Sequence, residues 1–173
     1  FSAGIDSYLD RAFVYFDLDH IPTDATISRA TLEMYLEQAG GKAKVCMSVH
    51  RVQDAWCEKP PCGGRLSPIT WSSAPTHIMT AAATHYVDTA AGYKSWDVTK
   101  LVQSWVDGSE ANHGVLLTGE EEGDAWSRVF SSREGAYPPH LVIHVVSSSP
   151  IITPTPTATR TATATPTVTA TPA

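Results

Sequence analysis

An all-β sandwich is the architecture this sequence predicts, and three observations carry it. Short runs of alternating apolar and polar residues recur between residues 7 and 146, turns rich in Gly, Pro and Ser separate them, and a single segment has helical spacing. The strands are expected to be antiparallel, in a jelly-roll-like arrangement with one short helix.

Residues 7–18 form the first extended run, with Tyr8, Ala12, Val14, Phe16 and Leu18 in a mostly alternating pattern that Pro22 ends. Residues 28–39 place Leu32, Met34 and Leu36 on one face and Thr31, Glu33, Tyr35 and Glu37 on the other, the mark of a half-buried strand. Residues 44–52 make a third run. Residues 53–83 lack periodicity and read as long loops around a short strand at 69–71. Short strands follow at 84–88 and 93–96. Val98, Leu101, Val102 and Trp105 then recur at helical spacing, with Asp97 placed to cap the helix and Gly108 to stop it. Residues 114–118, 127–131 and 140–146 complete the set, and no internal repeat is visible.

The 173 residues divide into a sandwich domain over 1–147 and an extended tail over 148–173. From Thr153 to Thr171 every odd position is threonine: Thr153, Thr155, Thr157, Thr159, Thr161, Thr163, Thr165, Thr167, Thr169 and Thr171. A period of two sets all the hydroxyls on one face of an extended chain and Pro, Ala and Val on the other. These threonines are the expected O-glycan attachment points. Residues 157–165 contain no proline and reach about 30 Å at ~3.3 Å per residue, enough to join a neighbouring sheet by strand addition.

A net charge of −6 and a pI near 5.5 argue against nucleic acid or an anionic membrane as partner, and no apolar run is long enough to insert in a bilayer. The chain begins at Phe1 rather than Met, which reads as a processed product. Cys57 and Cys62 flank a Pro-Pro turn; a local disulfide is the first reading, with free thiols or a metal site as alternatives. Cys46 reads as a buried small hydrophobe. A disulfide and a Thr/Pro tail both point to a secreted, extracellular or cell-surface setting.

The landmarks 12–18 (Ala-Phe-Val-Tyr-Phe-Asp-Leu), Ile21-Pro22, Ala30-Thr31-Leu32, Val49-His50-Arg51-Val52, Trp56, Thr70-Trp71 and Ala74-Pro75 keep a distinctive order. They continue with Trp96-Asp97-Val98-Thr99, Leu101-Val102-Gln103-Ser104-Trp105, Phe130-Ser131-Ser132-Arg133-Glu134 and Pro138-Pro139-His140-Leu141-Val142-Ile143. In this order the chain resembles DNRLRE domains over roughly residues 7–146. The resemblance implies a secreted bacterial β-sandwich module, grouped with carbohydrate-binding modules and often attached to larger surface proteins. Such domains carry a further strand upstream of the segment like Asp6-Ser7-Tyr8-Leu9, where this chain has few residues. A sandwich without that strand would leave an open edge as a template for another chain.

Candidate chemistry is sparse. Trp56, Trp126 and Tyr137 lie in turn-rich stretches and are candidate sugar-stacking rings, whereas Trp105 and Trp71 belong to apolar positions. Arg133 is a candidate contact for a sugar or carboxylate, or else a structural ion pair with Glu134. Glu120, Glu121, Glu122 and Asp124 form an acidic loop that is a weak calcium candidate and more simply a solvated turn. His140 and His144 fall on one strand face about 13 Å apart, too far to share an ion. No cofactor and no metal are expected. Without a nucleophile elbow, a phosphate-cradling loop or a marked carboxylate pair, the chain reads as no enzyme. The first functional reading is a structural subunit of a surface fibre or layer, self-associating with identical subunits through its tail. The alternative is a carbohydrate-binding or adhesion module on a glycosylated stalk, with a polysaccharide as partner.

Overall fold

A computed structural model of the chain describes residues 2–5, 9–58, 69–120 and 124–146, without the side chains of residues 2–5, 9, 10 and 71. These residues form two antiparallel sheets and one short helix. The elements run β1 (Ser2–Ile5), β2 (Leu9–Asp10), β3 (Ala12–Val14), β4 (Thr26–Gly41), β5 (Val45–Arg51), β6 (Ala83–Val87), β7 (Gly92–Asp97), α1 (Thr99–Val106), β8 (Val115–Thr118), β9 (Trp126–Phe130) and β10 (His140–Val146). The larger sheet is ordered β10-β4-β9-β1-β2 with β7 also on β4, and the smaller is ordered β3-β8-β5-β6.

The long strand β4 organises the larger sheet. Thr31 to Glu33 pair with β7 and β10 at once, so those strands lie on opposite edges, and Leu36 likewise joins β7 and β9. Strands β9 and β10 therefore share one edge of β4, and the connection 131–139 leaves the sheet between them. The alternation read from the sequence is kept here: Leu32, Met34 and Leu36 are buried, while Glu33 and Tyr35 are half-buried and Glu37 is exposed. Facing them across the core are Val45, Met47 and Val49 of β5 and Val115 and Leu117 of β8. Trp96 spans the two layers, donating its indole N–H to the Met47 carbonyl at 3.2 Å.

Helix α1 packs against β4 through Leu101, Val102 and Val106. Gly108 takes φ +73° after the last turn, as the sequence predicts. The N-cap is Val98 rather than Asp97, whose side chain accepts the Thr99 amide at 3.0 Å from one residue further out. Gln103 locks the helix to the strand, accepting from the Ile27 amide at 2.8 Å and donating to the Ala25 carbonyl at 3.2 Å.

Arg128 is 0% exposed, pointing inward from β9. Its guanidinium donates to the carbonyls of Gly40 (3.0 Å), Ser127 (2.8 Å), Lys42 (2.6 Å) and Val87 (3.4 Å). One cation thus ties the end of β4 to β6 and satisfies backbone acceptors where the sheets close. Burial lowers its pKa from the ordinary arginine value, and Asp88 works against that shift.

Four other expectations need correction. Residues 7–18 are not one run: β2 joins the larger sheet and β3 the smaller, because the chain crosses between layers near Arg11. Residues 2–5 form β1, which pairs with β9 over four positions, so β9 has no edge left open by a short N-terminus. Residues 69–71 hold no strand. There the Thr70 and Ser73 side chains bond each other's backbone amides, at 3.2 and 3.0 Å, and close the 3₁₀ turn Trp71–Ser73 instead of leaving a ladder. Cys46 is a free thiol, half-buried on the outer face of β5, the side its phase in the alternation assigns it.

Candidate functional site

Strand β3 lies at the edge of the smaller sheet. Its inward residues Ala12 and Val14 are buried in the core, so the opposite phase, Arg11, Phe13 and Tyr15, projects outward. These three side chains line a cleft of about 820 Å³. Trp56 forms the neighbouring wall, tilted against Phe13 with ring centroids 5.8 Å apart. Its indole N–H donates to the His113 carbonyl at 2.7 Å, so the ring is held at a fixed angle.

The far rim comes from the larger sheet. Arg133, from the connection between β9 and β10, is paired with Glu58 at 2.9 Å and with Glu134 at 3.1 Å, and its side chain is 71% exposed. The Glu134 carboxyl is held below its usual pKa, mainly by the hydrogen bond from Arg133. Arg133 is thus in the ion pair with Glu134 that the sequence offered as one reading, and it also lines the cleft. Asn112 braces the site from beneath, donating to the Phe16 carbonyl at 2.9 Å and accepting the Gly114 amide at 3.0 Å.

Tyr15 is 51% exposed at the mouth. Its pKa is raised above 10.0, by partial burial first and then by Asp17 and Asp19. The phenol thus keeps its proton at neutral pH and can donate as well as accept. The cleft combines aromatic surface with a few fixed polar groups. Among its described lining residues Glu58 is the one carboxylate, and it is engaged by Arg133, so no pair of carboxylates faces a common point.

The structure separates the sequence candidates. Trp56 and Arg133 meet in the cleft. Tyr137 lies elsewhere, stacked on Tyr35 at 4.1 Å. Trp126 is withdrawn as a sugar-stacking ring: it is 3% exposed, with its indole N–H donating to the Glu120 carbonyl at 3.0 Å and its ring seated against Gly119. A buried ring has no face to offer. Trp105 is half-buried against the core. Of the calcium candidates, Glu121 and Glu122 lie outside the described residues, and Glu120 is committed to Lys42 at 2.8 Å and the Cys46 amide at 3.2 Å. Among the described residues no three His, Cys, Asp or Glu side chains gather as metal ligands. Cys57 is disulfide-bonded, whereas Cys62 and the tail threonines lie outside the described residues. Sequence reasoning missed Arg11, Phe13 and Tyr15. The available signal was two large aromatic side chains, Phe13 and Tyr15, on the phase opposite to the core residues Ala12 and Val14.

A β-sandwich with an open, aromatic-walled cleft along an edge strand has the form of a small-molecule or glycan-binding module. The sequence matches carbohydrate-binding module family 96 over residues 2–145, and the chain belongs to that family. No curated protein matches it.

Proposed function

We propose that this protein is a non-catalytic polysaccharide-binding module that holds a glycan chain in the cleft along β3. The observation that carries this reading is the outward set Phe13, Tyr15 and Trp56 beside Arg133, within a chain that belongs to a carbohydrate-binding family. Aromatic rings offer flat apolar surface to the C–H faces of sugar rings. The Tyr15 hydroxyl and the Arg133 guanidinium supply directional hydrogen bonds to hydroxyl or carboxylate oxygens. Because Trp56 and Asn112 are already fixed by backbone hydrogen bonds, little ordering remains to be done when a ligand arrives.

The DNRLRE resemblance agrees with this reading, and so does an extracellular setting, common for such modules. The fibre subunit is the weaker alternative: of its two supports, the expected open edge on β9 is filled by β1 and the tail over 148–173 lies outside the described residues, whereas the family match covers 2–145. We take the tail as a tether and glycan carrier, which the intact mass of the native protein tests directly: hexose-sized increments support it, and the bare chain mass removes it.

The binding test is electrophoresis of the purified chain through gels containing soluble polysaccharides, both neutral and acidic. Retardation on at least one is expected, and Tyr15→Ala and Arg133→Ala should each weaken it by about tenfold at unchanged circular dichroism. A chain that runs freely through every gel overturns the assignment.

A further inference from the structure

A second aromatic surface lies on the outer face of the larger sheet. The β9–β10 connection serves both surfaces, with Arg133 and Pro139 lining the cleft and Tyr137 on the sheet. Tyr35 of β4 and Tyr93 of β7 are direct cross-strand partners, with rings edge to face at 5.2 Å. Tyr137 comes over from the β9–β10 connection and stacks on Tyr35. His140 of β10 stacks on Tyr93 at 5.5 Å. Four rings from three strands and one loop thus form a continuous group. Tyr93 and Tyr137 remain 43% and 47% exposed.

The polar surroundings of this group differ from those of the cleft. Glu33 shares the face of β4 with Tyr35 and stands opposite Ser95 on one side and His140 on the other, and the exposed Glu37 follows Tyr35 at the bulge between Leu36 and Gln38. At neutral pH the two carboxylates repel a polyanion and accept hydrogen bonds from sugar hydroxyls. The cleft instead presents Arg11 and Arg133.

Resting on the carbohydrate-binding reading above, we propose that this outer face is a second glycan-contact surface, and that it takes an uncharged polysaccharide laid across Tyr93 and Tyr137. Cross-strand packing alone would account for the Tyr35 and Tyr93 pair. It does not account for Tyr137, which a loop carries onto the sheet and leaves half open. Tyr137 lies nearly parallel to Tyr35 and Tyr93 edge-on to it, so the two half-open rings offer apolar surface at a large angle to each other, which suits a sugar chain whose successive units turn. The flanking carboxylates restrict the occupant to one without acidic groups. Two contact surfaces on one module also raise the retention of a long polymer beyond that of either alone.

The experiment uses the full chain on gels containing hydroxyethylcellulose, xyloglucan, galactomannan or mixed-linkage glucan, with carboxymethylcellulose as the charged counterpart of the first. On at least one neutral gel Tyr15→Ala should keep a residual retardation, which adding Tyr93→Ala and Tyr137→Ala reduces by a further factor of about ten. Tyr137→Ala and Glu37→Lys, both at exposed positions, guard against loss of fold. The first should weaken neutral binding several-fold, and the second should add retention on carboxymethylcellulose. The inference is overturned if the platform substitutions change retention by less than about twofold on every neutral gel, or if the parent chain is retained only on the charged one. Free migration through all gels, neutral and charged, removes the polysaccharide-binding function as well.

Discussion

Arg128 illustrates how much a single side chain carries in this fold. Its guanidinium is the shared donor for carbonyls of Ser127 on β9, Gly40 at the end of β4, Lys42 just beyond it and Val87 on β6. Replacing it with leucine keeps much of the volume and removes every donor. The expected cost of Arg128→Leu is about 2–4 kcal/mol, the upper range for a single substitution that breaks a buried hydrogen-bond network. Urea denaturation followed by tryptophan fluorescence measures it, and a loss within experimental error would show that water satisfies those carbonyls. Trp126 teaches the same lesson from the other direction. Its turn-rich neighbourhood suggested a surface ring, but its position in β9 turns it inward with Arg128 and Phe130. Phase within a strand, and not the company of Gly and Asp in sequence, sets the direction of a side chain.

At the scale of elements, β4 is decisive because one strand carries three partners. Its sequence pattern was legible over residues 28–39, and the structure extends it to Gly41. Gly41 ends the strand at φ +71°, where an added Cβ would stand 2.1 Å from the Ala125 carbonyl oxygen. Gly41→Ala should therefore cost about 1–3 kcal/mol, combining left-handed backbone strain with the clash. A matched pair of thermal melts, with the exposed Thr84→Ala as reference, separates this from general sensitivity to substitution. Helix α1 was equally readable, because Val98, Leu101, Val102 and the flanking Gly108 are all local signals. The strand β1 gave no such signal: it spans only Ser2–Ile5, and its existence depends on β9, more than one hundred residues away along the chain.

For the whole molecule, several acidic groups share one bias. Asp97 bonded by Thr99, Asp54 by Thr76, Asp107 by Ser109, Glu120 by Lys42 and Asp88 by Lys94 all have pKa values below their ordinary ones, in each case chiefly through that side-chain hydrogen bond. Their folded values lie under the unfolded ones, so the native state binds fewer protons than the unfolded chain across the interval. Their contribution is fully present above the ordinary values of 3.8 and 4.5 and is lost as pH falls through the lower folded values. The urea midpoint should stay level from neutrality down to those ordinary values and decline below them. A midpoint that instead began to fall near pH 6 to 7 would point to histidine as the controlling group.

The sequence by itself determined the class of fold, most strand positions and the helix with its C-terminal stop, and two of its candidates, Trp56 and Arg133, fall together in the cleft. These are local properties: alternation fixes which side chains face the core, and Gly, Pro and capping residues fix where each run stops. The tertiary structure alone decided which outward side chains meet. Arg11, Phe13 and Tyr15 become a cleft wall only because β3 falls at a sheet edge with Trp56 folded against it and Arg133 brought across from the other layer. Tyr137 becomes part of a platform only because the β9–β10 connection returns over β4. The physical reason is the same in both cases: periodicity specifies the face of a strand, while the neighbours on that face are set by pairings between residues far apart in sequence.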